Sequence, residues 1–373
     1  MEIRRFGKNG ITATRLGFGA MRLPMVNIGG QDYVDIDLAT DVIRHGFENG
    51  INYIDTGFMY CESESEIAVG RALRGWREKV TVTTKATKFR MANPGDLRRM
   101  LEHQLLKLDV DCLDFYCFHG IGWENFHEID KRTGWIKDMM NAKDEGLMKH
   151  IGFSFHDDPE NMIKLIDLGL FEMVTCQYNY LDQKNAGSMS YAKEKGLGVV
   201  VMGPVGGGRL AVVPGFLANE DGLDTSSSAA LAIRFVMSNP NVDVALSGMN
   251  SFQMVDENIR AAEAGPLSEK ELGILNRLLE KTKGLADLYC TGCGYCMPCE
   301  QGVDIPARFE AMNYLKVYGF EDYARTLYAN VRKRETETEG EGICIECGDC
   351  QEKCPQNIEI IKQLKETEAA FAS

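Results

Sequence analysis

No stretch of this 373-residue chain approaches the roughly 18 consecutive apolar residues that a membrane-spanning helix needs, so a helical membrane protein is not expected. The N-terminus, Met1-Glu2-Ile3-Arg4-Arg5, has no apolar segment behind its basic pair, and no export signal is read there. Positive charge is in short supply as well: 41 Lys and Arg face 55 Asp and Glu, a formal charge of −14. Nucleic-acid binding is driven mainly by cations that neutralise phosphates, so that partner class is excluded, and anionic membrane surfaces with it. These absences together point to a soluble cytoplasmic protein.

What is present is concentrated. Of twelve cysteines, eight crowd into two short runs near the C-terminus, while Cys61, Cys112, Cys117 and Cys176 are scattered. A disulfide framework would spread them differently, and clustered thiols in a reducing compartment read as metal ligands. The scattered four read as small buried hydrophobes.

From residue 15 to about 262, short β-branched runs alternate with longer amphipathic stretches, the pattern of repeated βα units around a parallel sheet. Eight strands are expected, at 15–19, 52–55, 80–85, 113–119, 150–154, 173–177, 198–202 and 242–247. Helical segments between them include 38–49, 62–73, 94–108, 159–168 and 226–238, several opened by a capping residue or an early proline. Eight units in about 250 residues predict an α/β fold, a (β/α)8 TIM barrel, with a doubly wound open sheet as the structural alternative. Residues 1–6 and 12–14 read as a hairpin ahead of it.

A helix is expected at 264–284, and composition changes there. Residues 284–373 hold sixteen Asp and Glu against nine Lys and Arg, so a quarter of the chain carries −7, half the formal charge. This is either a solvated acidic surface or a docking face for a basic redox partner protein. Helical spacing over 306–329 makes this second domain small and mainly helical, and 335–341 reads as an exposed loop. The expected domains are 1–283 and 284–373.

The first cysteine run is Cys290-x-x-Cys293-x-x-Cys296-x-x-Cys299, and the second is Cys344-x-x-Cys347-x-x-Cys350-x-x-x-Cys354-Pro355. The second has the bacterial ferredoxin spacing, in which the fourth thiolate serves the other cluster. Cys290, Cys293, Cys296 and Cys354 are therefore assigned to one [4Fe–4S] cluster, and Cys344, Cys347, Cys350 and Cys299 to a second. Structural zinc is the alternative, but a zinc ribbon uses two thiol pairs and leaves the extra cysteines without a role.

Four polar residues fall at or just beyond three consecutive strand ends: Asp55 and Tyr60, then Lys85, then His119. Barrel enzymes carry their chemistry on the C-terminal rim, so the four form a candidate site. Taken singly, each has an ordinary explanation as a loop cap, a packed ring or a snorkelling amine. Phe58, Trp123, His156 and Tyr180 are either pocket residues or packing.

The segment Gly50-Ile51-Asn52-Tyr53-Ile54-Asp55-Thr56 with Tyr60, then Thr84-Lys85, then Phe118-His119, closely resembles the aldo-keto reductase family over roughly residues 1–262. The resemblance implies a catalytic tetrad of Asp55, Tyr60, Lys85 and His119. In that chemistry Tyr60 protonates a developing alkoxide, Lys85 eases release of the phenolic proton, Asp55 holds Lys85, and His119 orients the carbonyl oxygen. It further implies an NADP(H) or NAD(H) site at Ser154, Gln177, Met202, Gly203, Val205, Gly207, Arg209, Ser247, Gly248, Ser251, Gln253, Glu257 and Asn258. Phe155 stands where the family frequently has Asn. The 247–258 segment lacks the Lys and Arg that usually grip an adenosine 2′-phosphate, for which Arg209 is the available substitute. The cysteine-rich extension resembles the ferredoxin-type domain found on a subset of these reductases.

The expected function is therefore an oxidoreductase acting on a small-molecule carbonyl or alcohol. The two clusters either exchange electrons with a partner or are structural. Hydride moves electrons in pairs and clusters move them singly, so two other readings stand beside it: a cluster-fed reductase with a vestigial nicotinamide site, and an electron carrier whose barrel is a scaffold.

Overall fold

The computed structural model describes residues 1–212, 217, 222–281, 290, 292–317, 319–338 and 340–372. The chain divides into two compact units, Met1–Pro204 with Ala232–Leu267, and Val205–Leu231 with Ser268–Ser373. The junction expected at 283/284 lies outside the described residues.

In the first unit eight parallel strands close into a barrel: β1 (Leu16–Gly19), β2 (Tyr53–Asp55), β3 (Thr81–Thr87), β4 (Leu113–Ile121), β5 (Met148–Phe155), β6 (Met173–Gln177), β7 (Gly198–Met202) and β8 (Val244–Gly248). Each pairs with its neighbours in sequence, and β8 returns to β1 with Ala245 opposite Leu16. Helices cover the outer face, so strands such as Gly198-Val-Val-Val-Met202 are apolar on both sides. The open-sheet alternative is thereby excluded.

The expected hairpin pairs Ile3–Arg5 with Thr12–Thr14. It delivers Phe6 into the barrel floor against Tyr53, Phe115, Cys117 and Val244. A Cβ on Gly198 would lie 2.2 Å from the Phe6 ring, so glycine there is what admits the plug. Strand register carries this inward face upward. Asp55 is opposite Thr83, Lys85 opposite Cys117 and Thr87 opposite His119. Alternate residues share a face, so Asp55, Lys85 and His119 continue the lumen column begun by Tyr53, Phe115 and Cys117.

Several boundaries differ from the sequence reading for identifiable reasons. The helix expected at 62–73 starts only at Ser65, because Cys61, Glu62 and Ser63 all take left-handed backbone angles (φ 49°, 54° and 66°). The helix expected at 264–284 is instead Glu269–Lys281, preceded by Phe252–Ala264 and a break at Gly265-Pro266. Between β4 and β5 two helices, Trp123–Thr133 and Trp135–Asp144, meet at left-handed Gly134. A second hairpin, Met25–Ile28 with Gln31–Val34, had no counterpart in the sequence reading.

The second unit is helical in its C-terminal part, with Ile305–Lys316, Glu321–Glu335, Asp349–Lys353 and Ile360–Phe371. The single stretch expected at 306–329 is broken at Gly319 (φ 69°). Asp304 caps the first helix by accepting from Ala307 N, and Pro306 supplies the fixed φ of its first turn. Among the described residues no helix is long and apolar enough to cross a membrane.

Candidate active site and cluster ligands

Lys85 is 1% exposed and held from two sides: its ammonium donates to Asp55 Oδ1 and to the Thr56 carbonyl (2.7 Å). The same Nζ stands 4.8 Å from the centroid of the Tyr60 ring, which in turn meets the His119 imidazole edge to face at 5.6 Å. All four sequence-predicted side chains therefore converge. Burial pushes the Asp55 carboxyl up, and the Lys85 ammonium pulls against that shift. Burial, then the positive charges of Lys85 and Lys88 with His156 between them in order of effect, holds the His119 imidazole well below its ordinary value. It is therefore a neutral hydrogen-bonding group at physiological pH.

Tyr60 enters this arrangement on the left-handed turn of residues 61–63. Three non-glycine residues in that region cost roughly 1–2 kcal/mol each and persist only where the surroundings over-determine them. The turn is closed by Ser65 N donating to Tyr60 O (3.2 Å) and clamped by Lys107 Nζ on the Ser63 carbonyl (2.8 Å). The Cys61 thiol donates to the Met21 carbonyl (3.3 Å), and burial raises its pKa, so it anchors the turn rather than acting as a nucleophile.

Behind Lys85 lies a buried network absent from the sequence reading. Glu66 accepts from Thr84 Oγ1 (2.6 Å) and Gln104 Nε2 (2.5 Å), Gln104 also donates to the Lys85 carbonyl (3.1 Å), and Tyr116 donates to Gln104 Oε1 (2.7 Å). These residues fix the β3 backbone from which Lys85 projects. The signal was available: Glu66 is a carboxylate on the core-facing stripe of its helix, which demands buried partners.

Of the positions implicated in nicotinamide binding, Ser154 Oγ accepts from Gly120 N (2.7 Å), one residue beyond His119, and retains a hydroxyl proton to donate. Gln177 ends β6 opposite Met202, with its amide packed on the α-carbon of Gly203, where a Cβ would lie 2.3 Å from Nε2. Asn258 donates to Ser247 Oγ (2.9 Å), and Ser251 caps the helix Phe252–Ala264. Gln253 and Glu257 pair with each other on its exposed face (2.7 Å). Gly248 lies opposite Gly19. Val205 and Gly207 belong to the second unit, in a turn where Gly206, Gly207 and Gly208 all have positive φ. The Arg209 side chain lies outside the described residues.

In the second unit Cys290, Cys293, Cys296 and Cys354 line one cavity. Cys299, Cys344, Cys347 and Cys350 line another, with Cys296 at its margin. The Cys296 thiol is pushed up to about 12, by burial and then by its neighbours Cys290, Cys293 and Cys354. Four thiols gathered around one cavity suit a metal cluster, which binds them as thiolates. Among the described residues no three Cys, His, Asp or Glu are arranged to hold a single ion.

Residues 15–212, more than half of the chain, match the aldo/keto reductase family. The chain belongs to that family. Residues 289–359 match the 4Fe-4S dicluster domain, so this oxidoreductase carries two [4Fe–4S] clusters in addition to its barrel. Among curated relatives, L-galactose dehydrogenase of Arabidopsis thaliana is 26% identical over 313 residues, 76% of this chain and 96% of the relative. The apo structure of aldo-keto reductase AKR11C1 from Bacillus halodurans is 25% identical and covers 74% of this chain and 96% of its own, with a TM-score of 0.61. An aldo-keto reductase from Klebsiella pneumoniae in complex with NADPH has the same fold at 24% identity, with 74% and 95% coverage and a TM-score of 0.61. In this reductase the shared portion is the barrel.

Proposed function

We propose that the barrel reduces a carbonyl compound, or oxidises the corresponding alcohol, with a nicotinamide cofactor, and that Tyr60 is the proton donor. The observation that carries this reading is the Lys85 ammonium fixed by Asp55 and Thr56 at 4.8 Å from the Tyr60 ring. The cation favours transfer of the phenolic proton to the substrate oxygen. His119, neutral, offers that oxygen a hydrogen bond and turns it toward Tyr60. A nicotinamide, when bound, would supply the hydride that the carbonyl carbon gains. Ser154, Gln177, Met202, Gly203 and the Ser247–Asn258 segment are the residues that would hold it, Ser154 and Gln177 through its carboxamide. That segment contains no Lys or Arg, so either NADH or NADPH is a candidate donor.

The two clusters would take Cys290, Cys293, Cys296 with Cys354, and Cys344, Cys347, Cys350 with Cys299, in a domain beginning near residue 284 after a barrel domain of 1–283. They pass single electrons to or from a partner protein and are not obligatory for hydride transfer. Clusters of this kind persist in a reducing compartment, which is the basis for a cytoplasmic location.

The test is anaerobic purification followed by NADPH and NADH oxidation with an aldehyde panel. Tyr60→Phe is expected to lower kcat by roughly 10²–10⁴ while cofactor quenching of tryptophan fluorescence is retained. Turnover equal to the parent would remove the reading.

A further inference from the structure

Lys88 has no role in the tetrad or in the cofactor segment. It opens the short 3-10 turn Lys88–Arg90 directly after β3, the strand that carries Lys85. Its ammonium donates to the carbonyl of Gly120 (2.8 Å), the residue after His119. Gly120 itself is left-handed (φ 61°), at the register shift that ends β4. Its N–H is taken by Ser154, and a Cβ there would sit 3.6 Å from His156 Cδ2. The ends of three consecutive strands thus bring Lys88, His119 and His156 around one glycine.

No carboxylate forms an ion pair with Lys88 among the described residues, although the side chain is half-buried. Asp157 is the acidic group whose charge it feels, and that carboxylate is already committed: Oδ2 accepts from Trp123 N (3.0 Å) and Asn161 Nδ2 (2.9 Å), and Oδ1 from Asp158 N (2.8 Å). The remaining neighbour is the exposed Phe89 ring at 5.6 Å, which brings no countercharge. An ammonium has three donors, and one carbonyl leaves two without a protein acceptor. Desolvating a cation without a partner is costly, and such a charge is kept where something else completes it. His156 does not supply a charge: its imidazole is held to about 3, by burial first and then by Lys88, Lys184 and Lys85.

We propose that Lys88 binds a carboxylate of the substrate, so that this enzyme acts on carbonyl compounds bearing an acid group close to the reacting carbon. This rests on the carbonyl-reduction reading, in which the reacting oxygen lies at Tyr60 and His119. The acid would take the two open donors of Lys88, one residue further along the rim. Reduction then proceeds as for a neutral carbonyl: carbon gains a hydride, which a bound nicotinamide would supply, oxygen gains a proton from Tyr60 that solvent restores, and the carboxylate is unchanged.

The test uses the full-length protein with both clusters, and two substrate pairs: pyruvate against methyl pyruvate, and phenylglyoxylate against methyl phenylglyoxylate. In the parent the acid is preferred in at least one pair. In Lys88→Met the acid-to-ester ratio of kcat/KM falls by roughly ten- to a hundred-fold, the weight of one charge-assisted hydrogen bond, and Lys88→Arg restores most of it. A parent that prefers the ester in both pairs, or a Lys88→Met variant in which acid and ester decline together, overturns the proposal and leaves Lys88 as a brace for Gly120. Calorimetry with benzoate against benzamide separates this outcome from failure of the reductase reading. Benzoate affinity that falls in Lys88→Met supports the acid site even without turnover of any carbonyl, and affinity equal to that of the parent sinks it.

Discussion

The Lys85 ammonium is shared between the Asp55 carboxylate and the Thr56 carbonyl while facing the Tyr60 ring at 4.8 Å, so one buried cation serves both the stability of the barrel and the proposed proton donor. Both partners of the Asp55–Lys85 pair are at most 3% exposed. Removing one charge strands the other, which typically costs 3–5 kcal/mol, whereas removing both costs much less. Lys85→Met is therefore expected to lose about 3 kcal/mol of stability, and Asp55→Asn/Lys85→Met to regain most of it. Urea denaturation measures the cycle. Activity should follow a different rule, staying below about 1% of the parent in the double variant because the cation is gone. Recovery of turnover together with stability would show that Lys85 only braces the fold.

His119 predicts an absence in the pH profile. A histidine near its ordinary value of 6.5 titrates in the physiological range, but burial and the charges of Lys85, His156 and Lys88 keep this one neutral in the fold. The sign follows from linkage. Below 6.5 the unfolded chain takes up a proton that the native imidazole refuses, so stability declines as pH falls from about 6.5, while the native protonation state stays constant. Reduction rates between pH 5.5 and 7.5 should accordingly show no inflection that disappears in His119→Asn, whereas the Tm of the parent should fall with acidification in that interval more than that of His119→Asn. An inflection near 6.5 confined to the parent would mean that His119 works as a charged group.

The barrel was legible because alternating β-branched runs and amphipathic stretches repeat eight times, and the tetrad because its members fall at consecutive strand ends. The turn at 61–63 was not. A left-handed glycine announces itself in sequence, but Cys61, Glu62 and Ser63 give no such notice, since tertiary clamps from Met21 and Lys107 impose their conformation. Gly265-Pro266 did signal a break, and apolar periodicity in Leu272, Leu275 and Leu278 masked it. Lys88 carried no signal in the sequence, since only the fold reveals that the carboxylate near it already accepts three other hydrogen bonds.

The ligand exchange between the two cysteine runs can be read by counting iron. If Cys354 serves the cluster of Cys290, Cys293 and Cys296, then Cys354→Ser should lower iron from about eight to about four per chain and leave the cluster of Cys344, Cys347 and Cys350 intact. Cys299→Ser should do the converse. Electron paramagnetic resonance after dithionite reduction distinguishes the survivors, and the magnetic coupling between clusters should vanish in both variants. A Cys354→Ser spectrum that matches that of Cys347→Ser rather than that of Cys293→Ser would show that each run keeps its own fourth cysteine.

Arg308 tests what holds the cluster-bearing unit together. Its guanidinium is fully buried and donates through Nε and Nη2 to Glu335, through Nη1 to Glu368 (2.8 Å) and through Nη2 to the Gly342 carbonyl (2.5 Å). It thereby ties helices Ile305–Lys316, Glu321–Glu335 and Ile360–Phe371 to the loop that leads into Cys344. Burial acts to lower the Arg308 pKa, but the Glu335 hydrogen bonds and charge outweigh it, so the cation is secure. Arg308→Met leaves Glu335 buried with Arg332 (2.7 Å) as its cation and the Asp304 amide (2.7 Å) as a further donor, and is expected to cost about 3 kcal/mol. Because the loop it holds precedes Cys344, the visible absorbance of the cluster held by Cys344, Cys347 and Cys350 should bleach first on warming, and Arg308→Lys, which cannot reproduce the fork to Glu335, should rescue little. Full rescue by Lys would reduce Arg308 to a point charge and leave the helices joined by packing alone.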